Sequence, residues 1–200
     1  KEVKVGKPLE EVTFDVYGVT QSDEAVVVDF HHVILQSDGS KLNVTEILQY
    51  RNTGSMVYNG SQIKVAMPKG YSNLQSEHLC CVKQTSYGLD FGVPQPLKPN
   101  ESQILDLVYT LTPQSGEYTF SKKIFYETIA VLLAVDQGKL KVNDLQGVEK
   151  TGDVDLGGRR FSTYMSMNGS KDAGLELTLS GFATPSVQWL WVGAGVFIGV

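Results

Sequence analysis

The sequence predicts an all-β fold: an antiparallel β-sandwich of immunoglobulin or fibronectin type, built as one sandwich or two packed units, followed by the start of a C-terminal transmembrane helix. Three observations predict it. Apolar and polar residues alternate with a period of two along most of the 200 residues. Turn residues recur about every ten positions, the spacing of a sandwich. The last twenty-four residues, Leu177 to Val200, carry no ionisable side chain.

Val12, Phe14 and Val16 alternate with Thr13 and Asp15, which predicts a first strand with one buried face. Ala25 to Gln36 reads as a long strand and Leu42 to Arg51 as its return. Between them, Ser37-Asp38-Gly39-Ser40 supplies the positive φ that a tight reversal needs. Asn52-Thr53-Gly54-Ser55 makes the next turn, Gln62 to Met67 a further strand, and Pro68-Lys69-Gly70 its end. Strands follow over Cys81 to Phe91, Ile104 to Leu111, Glu117 to Tyr126, Phe161 to Met167 and Leu175 to Leu179. Thr128 to Val135 is continuously apolar, which suits a strand covered on both faces and is too short to span a bilayer. Tyr109, Tyr118, Phe120, Phe125 and Tyr126 sit in alternating segments, where core and cross-strand packing explains them better than a sugar-binding platform.

Pro94, Pro96 and Pro99 make residues 94–100 the best hinge, with residues 113–138 the other place to divide the chain. The expected organisation is a β-sandwich ectodomain over 1–112, its continuation or a second small β unit over 113–185, and the start of a membrane anchor over 186–200. In the anchor, Trp189 and Trp191 mark the headgroup level, while Gly195 and Gly199 have the spacing that lets two membrane helices approach closely. The run from Val187 to Val200 is shorter than the roughly 20 apolar residues of a full span. It is read as the beginning of one, with a buried C-terminal strand or helix as the alternative.

Four of the seven asparagines, Asn43, Asn59, Asn100 and Asn168, stand in Asn-x-Ser/Thr context. That excess points to a glycosylated, extracytoplasmic surface, at the cell surface or in the periplasm. The net charge of -5 and the 17 scattered basic residues argue against nucleic acid as a partner. With two cysteines, Cys80 and Cys81, the fold cannot rest on a disulfide framework, so apolar burial must hold it together.

Leu42 to Gly54, Tyr58-Asn59-Gly60, Met67-Pro68-Lys69-Gly70 and Pro96-Leu97-Lys98-Pro99 together resemble a poorly characterised family of prokaryotic, including archaeal, surface proteins. The likeness covers roughly residues 30 to 180 and rests on strand and turn residues. It implies a β-sandwich ectodomain with a C-terminal membrane anchor, and it carries no catalytic set.

The sequence contains no haem-attachment Cys-x-x-Cys-His, no His-Glu-x-x-His, no Gly-x-Ser-x-Gly and no phosphate-binding glycine loop. Its three histidines, at 31, 32 and 78, lack the context of a hydrolase base. A non-enzymatic protein is expected. His78, Cys80 and Cys81 form a cluster that suits copper or zinc, with His31 or His32 as a fourth ligand; a vicinal disulfide and a plain structural thiol are the other readings. His31 and His32 are adjacent in a strand, so they face opposite ways and cannot share one metal unless a bulge intervenes. Gly157-Gly158-Arg159-Arg160 reads as a hairpin turn with solvated arginines, or as a contact for acidic lipid headgroups. Asp153-Val154-Asp155 lacks the further carboxylates of a calcium loop. The expected role is that of an accessory or structural subunit that contacts other membrane or surface proteins and binds no cofactor. The rival is a metal-handling or redox-accessory domain using His78, Cys80 and Cys81.

Overall fold

A computed structural model describes residues 14–60, 62–77, 81–92 and 95–183. The chain is all-β, with no α-helix among the described residues, and its antiparallel sheets are consistent with a β-sandwich. The largest sheet has seven strands. From edge to edge these are β13 (Glu149–Leu156), β14 (Arg159–Gly169), β11 (Thr128–Asp136), β2 (Val26–Ser37), β3 (Leu42–Asn52), β9 (Ser102–Leu111) and β6 (Ser72–Gln75). All neighbours are antiparallel except β11 and β2. One three-stranded sheet orders β10 (Glu117–Lys123), β15 (Gly174–Ser180) and β12 (Lys141–Gln146); another orders β5 (Ile63–Ala66), β8 (Gly88–Phe91) and β7 (Val82–Gln84). A short parallel pair joins β1 (Val19–Thr20) to β4 (Val57–Tyr58).

One core unites these sheets. Val33, Leu35, Val44 and Leu107 of the large sheet share a buried cluster with Phe120, Leu177 and Leu179 of one small sheet and Ile63 and Phe91 of the other. Strict alternation in β3 explains its place: Leu42, Val44, Leu48 and Tyr50 face inward and the residues between them outward. The β2–β3 hairpin closes as its turn chemistry demands. Gly39 has φ 111°, and the Asp38 carboxylate accepts hydrogen bonds from the Lys41 and Ser40 amides at 2.9 and 3.2 Å. Gly157 and Gly158, both at positive φ, turn β13 into β14 as expected for that hairpin.

β2 does not alternate uniformly. Its register against β3 slips at Asp29, so Val26 and Val28 face inward before the slip, and His31, Val33 and Leu35 after it. Arg51 fastens the bulge, its guanidinium donating to both Asp29 oxygens at 2.8–3.0 Å.

Several sequence expectations are corrected. Residues 14–16 form no strand, and Phe14 and Val16 are 80 % and 90 % exposed, because no neighbouring strand offers the segment a ladder; Val12 lies outside the described residues. The single strand expected over Cys81 to Phe91 is instead the hairpin β7–β8, turned at Gly88. A Cβ there would sit 2.3 Å from the Val65 carbonyl oxygen. The strand expected to reach Tyr126 ends at Lys123. Strands β6, β12 and β13 were not foreseen, since each is short or mostly polar and has at most one covered face. The apolar run at 128–135 is a strand, but it is covered on both faces only from Leu133 onward; Ile129 is 44 % exposed. No helix among the described residues is long and apolar enough to cross a membrane. The expected anchor, with Trp189, Trp191, Gly195 and Gly199, lies outside those residues.

Candidate functional site

The densest polar chemistry lies inside the core, around Glu46. On β3 this residue occupies the inward phase between Val44 and Leu48 and is completely buried. Three donors converge on its carboxylate. Lys122 Nζ of β10 lies 2.6 Å from Oε1 and 2.6 Å from Oε2, Tyr109 of β9 donates its hydroxyl to Oε1 at 2.5 Å, and His31 Nε2 of β2 donates to Oε2 at 2.7 Å. Lys122 also donates to the Ala66 carbonyl oxygen of β5 at 2.8 Å. One carboxylate thus ties the large sheet to both small ones. The bulge at Asp29 is what makes this possible, because it turns His31 inward and His32 outward.

The charges follow from that geometry. Burial alone would raise the Glu46 pKa, but Lys122 and His31 overcome it and bring the group down to about 2. Burial pushes the Lys122 ammonium below its ordinary value while Glu46 pulls it back up, and a carboxylate that acidic requires its lysine partner to be charged. Burial likewise lowers His31, despite Glu46, so it stays neutral with its Nε2 proton on the carboxylate. Tyr109 rises well above its usual value through burial and the neighbouring carboxylate. The set therefore holds one ion pair and two neutral donors, all out of contact with solvent. A void of about 20 Å³ beside His31 and Lys122, also lined by Leu48 and Tyr126, has room for about one water. Such a carboxylate is a poor base and such a lysine an inaccessible nucleophile. What the arrangement does well is to clamp three sheets together.

A second polar set braces the rim. Lys64 Nζ donates to Asp23 at 2.7 Å, Tyr126 donates to the same oxygen at 3.2 Å, and the Lys64 amide donates to the Tyr126 hydroxyl at 3.0 Å. Burial opposes ionisation of Asp23, but Lys64 holds its carboxyl below the ordinary range. An open cleft of about 670 Å³ lies near the end of β14, lined by Arg51, Thr53, Glu127, Ile129, Ser170 and Lys171, and Arg51 is already committed to Asp29.

Of the expected metal ligands, His78 and Cys80 lie outside the described residues, and Cys81 is exposed just ahead of β7. His31 is not available as their fourth ligand, because Glu46 holds its Nε2; His32 stacks on Phe30, ring centroids 4.7 Å apart. Among the described residues no group of three His, Cys, Asp or Glu could hold a metal. Asn59 and Asn100 are exposed, Asn43 is half-buried in β3, and Asn168 falls within β14. The Glu46 cluster was missed, although a signal existed: Glu46 and Lys122 each occupy the apolar phase of an alternating strand, which demands a partner.

No family model and no curated protein matches this chain. Among solved structures it is similar to the M1 zinc metallopeptidase of Deinococcus radiodurans bound to a Tyr-Ser-Ala substrate, at 16 % identity and TM-score 0.45, covering 78 % of this chain and 42 % of that one. It is also similar to a two-domain M1 zinc metallopeptidase bound to L-tryptophan, at 15 % identity and TM-score 0.46, covering 84 % and 44 %. The chain spans less than half the length of these proteins.

Proposed function

We propose that this protein is a non-catalytic, extracytoplasmic β-sandwich subunit, anchored to a membrane through residues 186–200, that works by contact with other membrane or surface proteins. The observation that carries the reading is an apolar band on the outer face of the seven-stranded sheet. Strand register aligns it in rows: Ile104, Gln49, Phe30, Ala130 and Met167 in one; Asp106, Ile47, His32, Leu132 and Met165 in the next; Val108, Thr45, Ile34, Ala134 and Thr163 in the third. Ile104, Val108 and Met167 are exposed, Phe30, Ile34, Ile47, Ala130, Leu132 and Met165 between them are half-buried, and Ala134 is buried. An outer sheet face left to water is normally polar, and a mainly apolar patch spread over five strands, interrupted by Gln49, Asp106, His32, Thr45 and Thr163, is the kind of surface that contacts a partner.

The interior chemistry supports the same reading, since the best-organised titratable residues are consumed in holding the sheets together. Glycans at Asn59, Asn100 and Asn168 would cover other parts of the surface. The test is to place a photo-crosslinking residue at Ile104 or Met167 in the membrane-resident protein, with the same residue at Lys83 as a control. Discrete protein adducts from the band alone support the role. Adducts from neither position, or equally from all three, contradict it.

A further inference from the structure

We propose that the end of the domain from which the C-terminal segment departs is a docking surface for anionic lipid headgroups. The inference rests on the reading of residues 186–200 as a membrane anchor, and it adds the side of the domain that faces the bilayer and the lipid chemistry it recognises. β15 ends at Ser180, between Glu117 of β10 and Lys141 of β12, and the Ala183 amide then donates to the Gly39 carbonyl oxygen at 2.7 Å. The chain thus leaves beside the β2–β3 hairpin tip. The turn after β11, the β13–β14 hairpin, the loop after β9 and the approach to β6 all gather at this same end.

Those connections bring together basic residues that are far apart in sequence. Lys41, Lys69, Lys139, Lys141, Arg159 and Arg160 are all exposed there. Among the described residues the four lysines form no ion pair; Arg159 lies 3.5 Å from Asp136 and Arg160 3.5 Å from Asp153. The acidic residues at the same end are Asp38, which caps the hairpin turn, Glu117, which accepts from Asn143, the buried Asp136, Asp153, which lies between Lys150 and Arg160, and Asp155, five against the six basic residues. The end is therefore net positive in a chain whose overall charge is -5. Of the four sequons, those at Asn59, Asn100 and Asn168 follow β4, precede β9 and close β14, away from this end, while the fourth, at Asn43, lies at it, half-buried in β3. A bilayer that takes up the apolar tail would meet these lysines first, and a negative surface potential attracts each of them within a Debye length.

The test is flotation of the full chain with vesicles of phosphatidylcholine alone and with about 30 % phosphatidylglycerol, at low and high salt. The variants are Lys41→Glu/Lys139→Glu/Lys141→Glu and, as a charge-matched control, Lys83→Glu/Lys98→Glu/Lys171→Glu. Circular dichroism and melting confirm that both fold. Each lysine near an anionic surface contributes about a fivefold gain in partitioning. The first variant should lose the preference for anionic vesicles by on the order of a hundredfold, while the control keeps it and salt erases it. Equal binding to both vesicles by the unmodified chain, an unchanged preference in the first variant, or equal loss in the control overturns the proposal. Competition by short duplex DNA as effective as that by anionic vesicles also overturns it, because the surface would then bind any polyanion. Binding to neutral vesicles reports separately on the anchor: a chain that ignores phosphatidylcholine but floats with phosphatidylglycerol retires the anchor and keeps the basic surface.

Discussion

Glu46 and Lys122 lie 76 residues apart in sequence and 2.6 Å apart in space, and both are shut away from solvent. The contact joins β3 of the large sheet to β10 of a small one, and Lys122 extends it to β5 of the third sheet through the Ala66 carbonyl. A buried pair of this kind gives less net stability than its Coulomb attraction suggests, since both ions lose their water. Its structural consequence is specificity: sliding the β10 sheet by one residue would strand a charge in the core, and sliding the β5 sheet would cost Lys122 its bond to the Ala66 carbonyl.

Removing one partner should therefore cost more than removing both. Lys122→Met leaves a buried carboxylate and should lower unfolding stability by about 3–5 kcal/mol. Glu46→Gln strands the ammonium at comparable cost. In urea melts the double variant should lose less than the sum of the single losses by at least about 1 kcal/mol; strict additivity would show that the pair is not coupled.

Stability should fall on acidification in two stages. A buried neutral His31 has a lowered pKa, so the unfolded chain takes up its proton first, and stability declines as pH drops below the ordinary histidine value of 6.5. His32, also lowered by burial and by His31, adds in the same direction. Glu46, at about 2 in the folded state against 4.5, contributes stability that is present above 4.5 and is lost as pH falls toward 2, on the order of 3 kcal/mol. In His31→Gln the decline between pH 7 and 5 should shrink and the steeper loss below 4.5 should remain. An unchanged upper stage would remove His31 from the explanation.

Gly88 separates β7 from β8 at φ 143°, and an added Cβ would meet the Val65 carbonyl oxygen at 2.3 Å and the Met67 amide nitrogen at 2.6 Å. Gly88→Ala should cost about 3 kcal/mol in thermal or urea unfolding. Gly70→Ala tests positive φ without that collision, because nothing lies within 4 Å of an added Cβ there. It should cost about 1 kcal/mol, and equal losses at both glycines would show that the backbone contact is not the cause.

The long strands were legible because their alternation is strict over ten residues or more, as in β3, and because Asp38-Gly39 leaves little choice of turn. The split of Cys81 to Phe91 was not legible. Its apolar residues fit one strand as well as two, and the conformation of Gly88 is set by a neighbour more than twenty positions away. The Glu46 cluster was half legible: a charge in the apolar phase of β3 and another in that of β10 announce buried partners. Which partners they find depends on the Asp29 bulge, which no local pattern reveals. The basic end was legible only at Arg159-Arg160, since its four lysines are scattered in sequence and collected only by topology.

The sequons should differ in use according to their backbone setting. Asn59 is exposed just after β4 and Asn100 is exposed in a turn at φ 62°, whereas Asn43 is half-buried within β3. In protein from its own membranes, Asn59→Gln and Ser102→Ala should each remove one glycan increment from the intact mass, and Thr45→Ala none. An unmodified mass for the parent chain would refute glycosylation.

The contact role is tested most directly by native mass spectrometry of the protein extracted in mild detergent from its own membranes, alongside Ile104→Asp. The parent chain should carry the mass of companion subunits, and the variant, equally folded, should lose them. A parent chain that flies alone, or companions that survive Ile104→Asp together with a metal-sized increment, would contradict a subunit working through its outer sheet face.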